Sequence, residues 1–171
     1  EATPTRMHPN FNVHGTASGR LSSSDPNLQN VPESARIIYV PSFPGWKIIQ
    51  VDYSGIESRL VAYFAQDTDL LYKYATIPKF SEYKWAAELF FGIPYEAVVK
   101  DNSKDAPYGK AKPIILGTNY GMGIQKISKK YDLPFKDVKA CVYTLKQAKP
   151  KVFAYQEAQA ARAARDGVLE N

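Results

Sequence analysis

Among the side chains of this sequence able to do chemistry, Asp52 is the sharpest case, because it stands at the end of an apolar run with nothing acidic beside it. It lies in the segment KIIQVDYSGIESR, residues 47–59. There Ile48, Ile49 and Val51 predict a buried strand over 47–53. A carboxylate emerging from such a strand into a cleft needs compensation, since desolvating it unpaired is costly. A hard divalent cation bound by carboxylate and carbonyl oxygens supplies that compensation. A solvated turn or a salt bridge is the alternative. Ser54 and Glu57 read as a capping box opening a helix over 54–65, with Ile56, Leu60, Val61 and Phe64 as its apolar face.

A second group with chemical potential is Lys112, Leu116 and Tyr120. The three are spaced four apart and so fall along one slowly drifting helix face, spanning roughly 12 Å at 1.5 Å rise per residue. An ammonium followed by an apolar and an aromatic side chain suits a nucleotide, which is about as long. It equally suits an amphipathic helix with Leu116 and Tyr120 in a core and Lys112 in water. Arg20 stands in the Ser/Thr/Gly-rich stretch TASGRLSSSDPNLQNVP, residues 16–32, where an arginine is either a surface residue or a nucleic-acid contact.

The elements that must position these residues read as a mixed, α+β chain. A loop-rich opening over 1–32 precedes strands at 35–40 and 47–53, joined through Pro41, Pro44 and Gly45 into a hairpin. Helices follow at 54–65 and at 82–91, the latter stopped by Gly92 and Pro94, then a polar loop over 102–109. Further helices are expected at 112–120, 124–131, 135–149 and 151–165, with Gly167 as the last stop. The chain of 171 residues carries 22 Lys plus Arg against 17 Asp plus Glu, for a net charge of +5, which moderately favours a polyanionic partner. Its single cysteine, Cys141, rules out an internal disulfide and fits a reducing compartment. No apolar run approaches the roughly 20 residues of a membrane span, and no signal-peptide pattern opens the chain. A soluble intracellular protein is expected.

Taken together and in order, the three blocks resemble family A DNA polymerases. TASGRLSSSDPNLQN matches the family's T-x-x-G-R-L-S-S-x-x-P-N-L-Q-N, and DYSGIESR matches D-Y-S-x-I-E-x-R. KPIILGTNYG keeps K-x(7)-Y-G of the longer R-x(3)-K-x(7)-Y-G, and AAELFFGIPYEAV resembles the linking segment. The resemblance implies a partial polymerase hand: palm over 1–66, mainly helical fingers over 67–150, and a helix at 151–171 returning toward the palm. It implies template-dependent DNA synthesis by nucleotidyl transfer from a dNTP to a primer 3′-hydroxyl.

In that frame Asp52 and the backbone carbonyl of Tyr53 hold Mg2+, two ions in all, with a second carboxylate supplied from outside this chain. Lys112 acts electrostatically in catalysis. Ser54, Gly55, Ile56, Glu57, Lys112, Leu116 and Tyr120 form the nucleotide site, with Tyr83 and Lys110 beside them. Arg20, Gln29, Asn30, Arg59, Tyr120 and Gly121 meet DNA. Glu57 occupies the space a ribose 2′-hydroxyl would need. The expected partners are primer-template DNA, dNTPs and the remaining polymerase segments, thumb and rest of palm, in the cytoplasm of a bacterial or phage-infected cell or in an organelle.

The sequence departs from the family where phosphate ligands are usual: Tyr108 replaces an arginine and Tyr83 a histidine, while Leu116 replaces an aromatic. Pro113 predicts a helix beginning near Lys112, leaving Tyr108 and Gly109 in the preceding loop, where Lys110 and Lys104 could supply the missing charge. Alternatives are a single-subunit RNA polymerase, against which Glu57 and the TASGRLSS block speak, and a noncatalytic DNA-binding or structural module derived from a polymerase.

Overall fold

A computed structural model describes residues 6–16 and 19–167. Two compact units divide the chain, residues 1–51 and 52–171.

In the first unit β1 (Asn10–Asn12) pairs antiparallel with β2 (Ser22–Ser24) in the register Asn10↔Ser24, Phe11↔Ser23, Asn12↔Ser22. The following turn is held by Ser23, whose buried hydroxyl accepts from Leu28 N at 3.2 Å and donates to the Pro26 carbonyl at 3.3 Å. Asn27 then caps a short 3-10 helix, Leu28–Asn30. The α+β class expected from sequence is observed, but the hairpin lies earlier in the chain than expected. Residues 33–38 form a 3-10 helix where a strand was predicted, and among the described residues no backbone ladder joins them to 47–53.

The segment 47–53 has no regular secondary structure, and its apolar residues are not buried: Ile49 is 83% and Val51 86% exposed. The physical reason is that a strand is stabilised by its neighbours. Its prospective partner coils instead, leaving one side-chain hydrogen bond, from Arg36 Nη1 to Gln50 Oε1 at 3.3 Å, between the two segments.

The second unit is helical: α1 (Ile56–Phe64), α2 (Thr68–Thr76), α3 (Glu82–Phe91), α4 (Pro107–Asn119), α5 (Ile124–Tyr131), α6 (Phe135–Ala148) and α7 (Pro150–Asp166). The predicted helices at 82–91 and 124–131 are reproduced, and 135–149 and 151–165 to within a residue at each end. Helix α2, capped by Asp67 Oδ1 on Leu70 N at 3.1 Å, was not foreseen. Two predictions fail at helix starts. Gly55, in the left-handed conformation (φ 62°), is the N-cap of α1, so the Ser54–Glu57 capping box does not form. Helix α4 begins at Pro107 rather than near Lys112, with Pro113 in its interior. Proline at the first helical position is the stronger start signal. Although an interior proline costs about 3 kcal/mol or more, burying Tyr108, Ala111, Ile114 and Ile115 along one helix repays it.

The main core lies among α3, α4, α5 and α6 and contains Ala86, Ala87, Ala111, Ile114, Ile115, Ile127, Val138 and Leu145. A smaller core of Ala62, Leu70 and Phe80 joins α1 to α2 and the start of α3. Helix α1 turns Ser58 and Ala62 inward, whereas Ile56, Leu60 and Phe64 of the expected apolar face are exposed. Conversely, the apolar faces after residue 135 are covered within the unit: Val138, Val142, Leu145 and Val152 are all buried.

Helices α4 and α5 approach closely at Gly117, where an added Cβ would stand 2.7 Å from Ile127 Cγ1. Because Ile127 is fully buried, Gly117→Val is expected to lower the stability by about 1–3 kcal/mol through overpacking. An unchanged urea midpoint would contradict this packing.

Candidate nucleotide site

The N-terminal end of the second unit places Asp52, Tyr53, Ser54 and Gly55 along one wall of a cleft of about 750 Å³. Glu82, Tyr83 and Lys84 at the start of α3 form another wall, and Tyr108 and Lys112 of α4 a third. Lys79 and Lys100 line the same cleft. Asp52 and Lys112, far apart in sequence, thus open onto one space. The Lys112 ammonium donates to Asn102 Oδ1 at 3.0 Å.

Two carboxylates line the cleft, and their surroundings differ. Asp52 is exposed. Glu82 is buried and engaged on both oxygens: Lys149 Nζ donates to Oε1 at 2.8 Å, and the Tyr74 hydroxyl to Oε2 at 3.3 Å. Burial, then the neighbouring Glu82, pushes the Tyr74 phenol well above the usual tyrosine range, so it remains a donor. Asp52 and Tyr53, the expected cation ligands, both line this cleft. No cluster of three or more metal-binding side chains occurs among the described residues.

The predicted stripe on α4 is only partly realised. Lys112 lines the cleft and also a second cavity of about 410 Å³, which it shares with Leu116, Gly109, Pro113 and the residues 130–133; Leu116 does not line the cleft. Tyr120 is the C-cap, one residue beyond the helix, and its hydroxyl donates to Glu57 Oε1. Neither Leu116 nor Tyr120 is in a core. Glu57, expected as a cap, instead ties α1 to the end of α4. Ile56 is exposed beside it, and Gly121, with φ 67°, turns the chain after Tyr120.

Tyr108 is 4% exposed and packs edge-to-face on Tyr83 at 5.8 Å, so it is a core residue rather than a loop residue. Burial, followed by Tyr108 and Glu82 nearby, pushes the Tyr83 hydroxyl up to about 12. Lys110 lies in neither the loop nor the cleft; it lines a separate cavity with Asp105, Asp132 and Cys141. Lys104 pairs with Asp132 at 3.4 Å. Neither Lys104 nor Lys110 lines the cleft, whereas Lys79, Lys84 and Lys100 do. Nothing in their spacing marked them. Cys141 is buried, and its thiol is pushed up to about 11 by that burial first and Asp137 second, which leaves it unreactive.

Arg59 donates to the Ser54 carbonyl at 2.9 Å and stacks its guanidinium 4.4 Å over the Tyr74 ring. In the first unit, Thr16 Oγ1 donates to the Arg20 carbonyl at 2.7 Å and Gln29 Nε2 to the Leu21 carbonyl at 3.1 Å. These bonds draw Arg20 and Gln29 of the first motif together locally, with Asn30 exposed beside them.

Comparison with known proteins extends this reading. The family model described as DNA polymerase family A matches residues 1–171. The chain is 34% identical over 175 residues to the thermostable DNA polymerase I of Thermus aquaticus, covering 96% of this chain and 20% of that protein. It is 35% identical over 170 residues to DNA polymerase I of Pseudomonas aeruginosa, covering 96% and 18%. Its fold is similar to the POL domain of Pol1 from M. smegmatis, solved in complex with DNA primer-template and dNTP, with a TM-score of 0.73, 26% identity, and coverage of 95% of this chain and 28% of that one. The chain thus spans about a fifth of the length of these curated relatives.

The burial of Tyr108 makes a direct prediction. Tyr108→Arg, which restores the residue usual at this place, is expected to destabilise the fold by more than about 2 kcal/mol, since it removes a buried ring and desolvates a guanidinium. A folding midpoint equal to the parent's would show that this side chain faces water.

Proposed function

The chain belongs to DNA polymerase family A, and from that premise we propose that the full-length protein carries out template-dependent DNA synthesis, joining a dNTP to a primer 3′-hydroxyl. The observation that carries this reading is the opening of Asp52, Lys112 and Tyr83 onto one cleft. A triphosphate needs cationic and hydrogen-bonding groups there, and a growing primer end needs a carboxylate edge.

In this reading Asp52 and the Tyr53 carbonyl hold Mg2+, shared with a carboxylate from elsewhere in the full-length protein. When bound, the ion polarises the reacting hydroxyl and offsets charge on the phosphates. Lys112 leaves Asn102 for the phosphate oxygens, an attraction that strengthens as charge develops on the leaving group. Tyr83 donates its neutral phenol, and Lys79, Lys84 and Lys100 add positive potential around the cleft. Glu57, tethered by Tyr120, fills the space beside the nucleotide sugar.

Arg20, Gln29 and Asn30 serve the primer-template duplex, where donors reaching minor-groove acceptors check pair geometry rather than sequence. The apolar residues left exposed in the first unit, Ile37, Ile38, Ile49 and Val51 among them, suit cover by further palm segments. The division into palm through residue 66, fingers over 67–150 and a returning helix over 151–171 belongs to the same proposal, as does a cytoplasmic setting. No helix among the described residues is long and apolar enough to cross a membrane.

Asp52→Ala in the full-length protein tests the proposal. Losing a ligand worth several kcal/mol of charge stabilisation is expected to cut single-turnover incorporation by about a hundredfold or more, with primer-template affinity little changed. Incorporation within about tenfold of the parent would remove Asp52 from the reaction.

A further inference from the structure

Lys149 stands between α6 and α7, immediately before Pro150, and its side chain is 1% exposed; that of its partner Glu82 is 2% exposed. A lysine buried this deeply is unusual. Its ammonium also donates to Asn119 Oδ1 at 3.2 Å, and the amide of Asn119 in turn donates to Ser58 Oγ at 3.0 Å. Asn119 and Ser58 are the sequence neighbours of Tyr120 and Glu57. Helix α1 and the end of α4 are therefore joined by two consecutive rungs: an exposed one, Tyr120 to Glu57, and a half-buried one, Asn119 to Ser58. The Asn119–Ser58 rung continues into the Lys149–Glu82 ion pair. From α7, Gln156 Nε2 donates to the carbonyls of Thr118 at 2.7 Å and Asn119 at 3.3 Å, holding the last turn of α4 from another side.

We propose that Lys149 and Glu82 are positioning residues: through Asn119 and Ser58 they latch the end of α4 to α1 and so set Tyr120 and Glu57 against the nucleotide sugar. Stability alone gives little reason for such a pair, because a well-packed apolar pair of similar volume is commonly as stable or more so. What apolar side chains cannot do is orient an amide. With its oxygen drawn to the ammonium, Asn119 turns its NH2 to Ser58, and that choice sets the register of the adjoining rung. Glu82 compensates the buried charge, and Tyr74 fixes its second oxygen.

The proposal rests on reading Glu57 as the sugar-discriminating group, so the experiment includes a control for that reading. In the full-length protein on a primer-template, kcat/KM is measured for a deoxyribonucleotide and its ribonucleotide with the parent, Glu57→Ala, Ser58→Ala, and the double variant Glu82→Met with Lys149→Met. Urea midpoints are measured alongside. Ser58→Ala cuts the latch while leaving both Lys149 and Glu82 in place, so it carries the test if the double variant does not fold. The latch predicts that both variants lower the deoxy-over-ribo ratio by about tenfold, the worth of roughly one hydrogen bond, in the same direction as Glu57→Ala. Parental ratios in both, with a lowered ratio in Glu57→Ala, would overturn it. If Glu57→Ala leaves the ratio unchanged, or the parent incorporates neither sugar, the functional reading fails instead. A crystal structure of Ser58→Ala then decides the latch: a lost Tyr120–Glu57 hydrogen bond supports it, and an intact one overturns it.

Discussion

The buried contact between Lys149 and Glu82 is the constraint on which the arrangement of the helical unit turns. Bringing two charges out of water costs several kcal/mol per ion, so the surrounding helices must supply polar partners at defined places. They do so with Tyr74 from α2 and Asn119 from α4, while Ser58 from α1 satisfies the Asn119 amide. Five elements meet at one point as a result. Their apolar faces would tolerate sliding; this meeting point does not, since a small slip would leave a buried charge or amide unsatisfied.

Helix α4 converts that constraint into a site. Its buried face, with Ala111, Ile114, Ile115 and Thr118, is held by the core, and its C-terminal end by Lys149 and Gln156. With rotation and register both set, Lys112 opens onto the cleft and Lys110 onto a different cavity. Two lysines separated by one alanine thereby acquire unrelated surroundings. The same geometry explains why Tyr108 replaces a charged residue without leaving a hole: it belongs to the face packed on Tyr83.

Much of this was legible in the sequence because local signals agreed with the tertiary outcome. The helix 82–91 ends at a glycine in the left-handed conformation, and 124–131 is amphipathic with Ile127 inward. The three motif blocks pointed to Asp52, Glu57 and Lys112 before any geometry. The failures have physical causes. Ile48, Ile49 and Val51 have the composition of a buried strand, but strand formation needs a partner that local sequence does not reveal. Pro113 has the look of a helix start, yet Pro107, six residues earlier, is the real one, and the burial energy that carries a helix through a proline is a tertiary quantity. Lys149 gave no signal at all, since a lysine between two helices usually points to water.

Whether the Lys112 face of α4 meets the nucleotide is decided by the dissociation constant of a dNTP for the full-length protein on a primer-template, compared between Lys112→Ala and Lys110→Ala. Loss of a charge-assisted contact to phosphate is expected to weaken binding by about tenfold or more in Lys112→Ala, while Lys110→Ala, altering a side chain outside the cleft, binds as the parent does. Weakened binding in Lys110→Ala with parental binding in Lys112→Ala would place the nucleotide on the other side of α4.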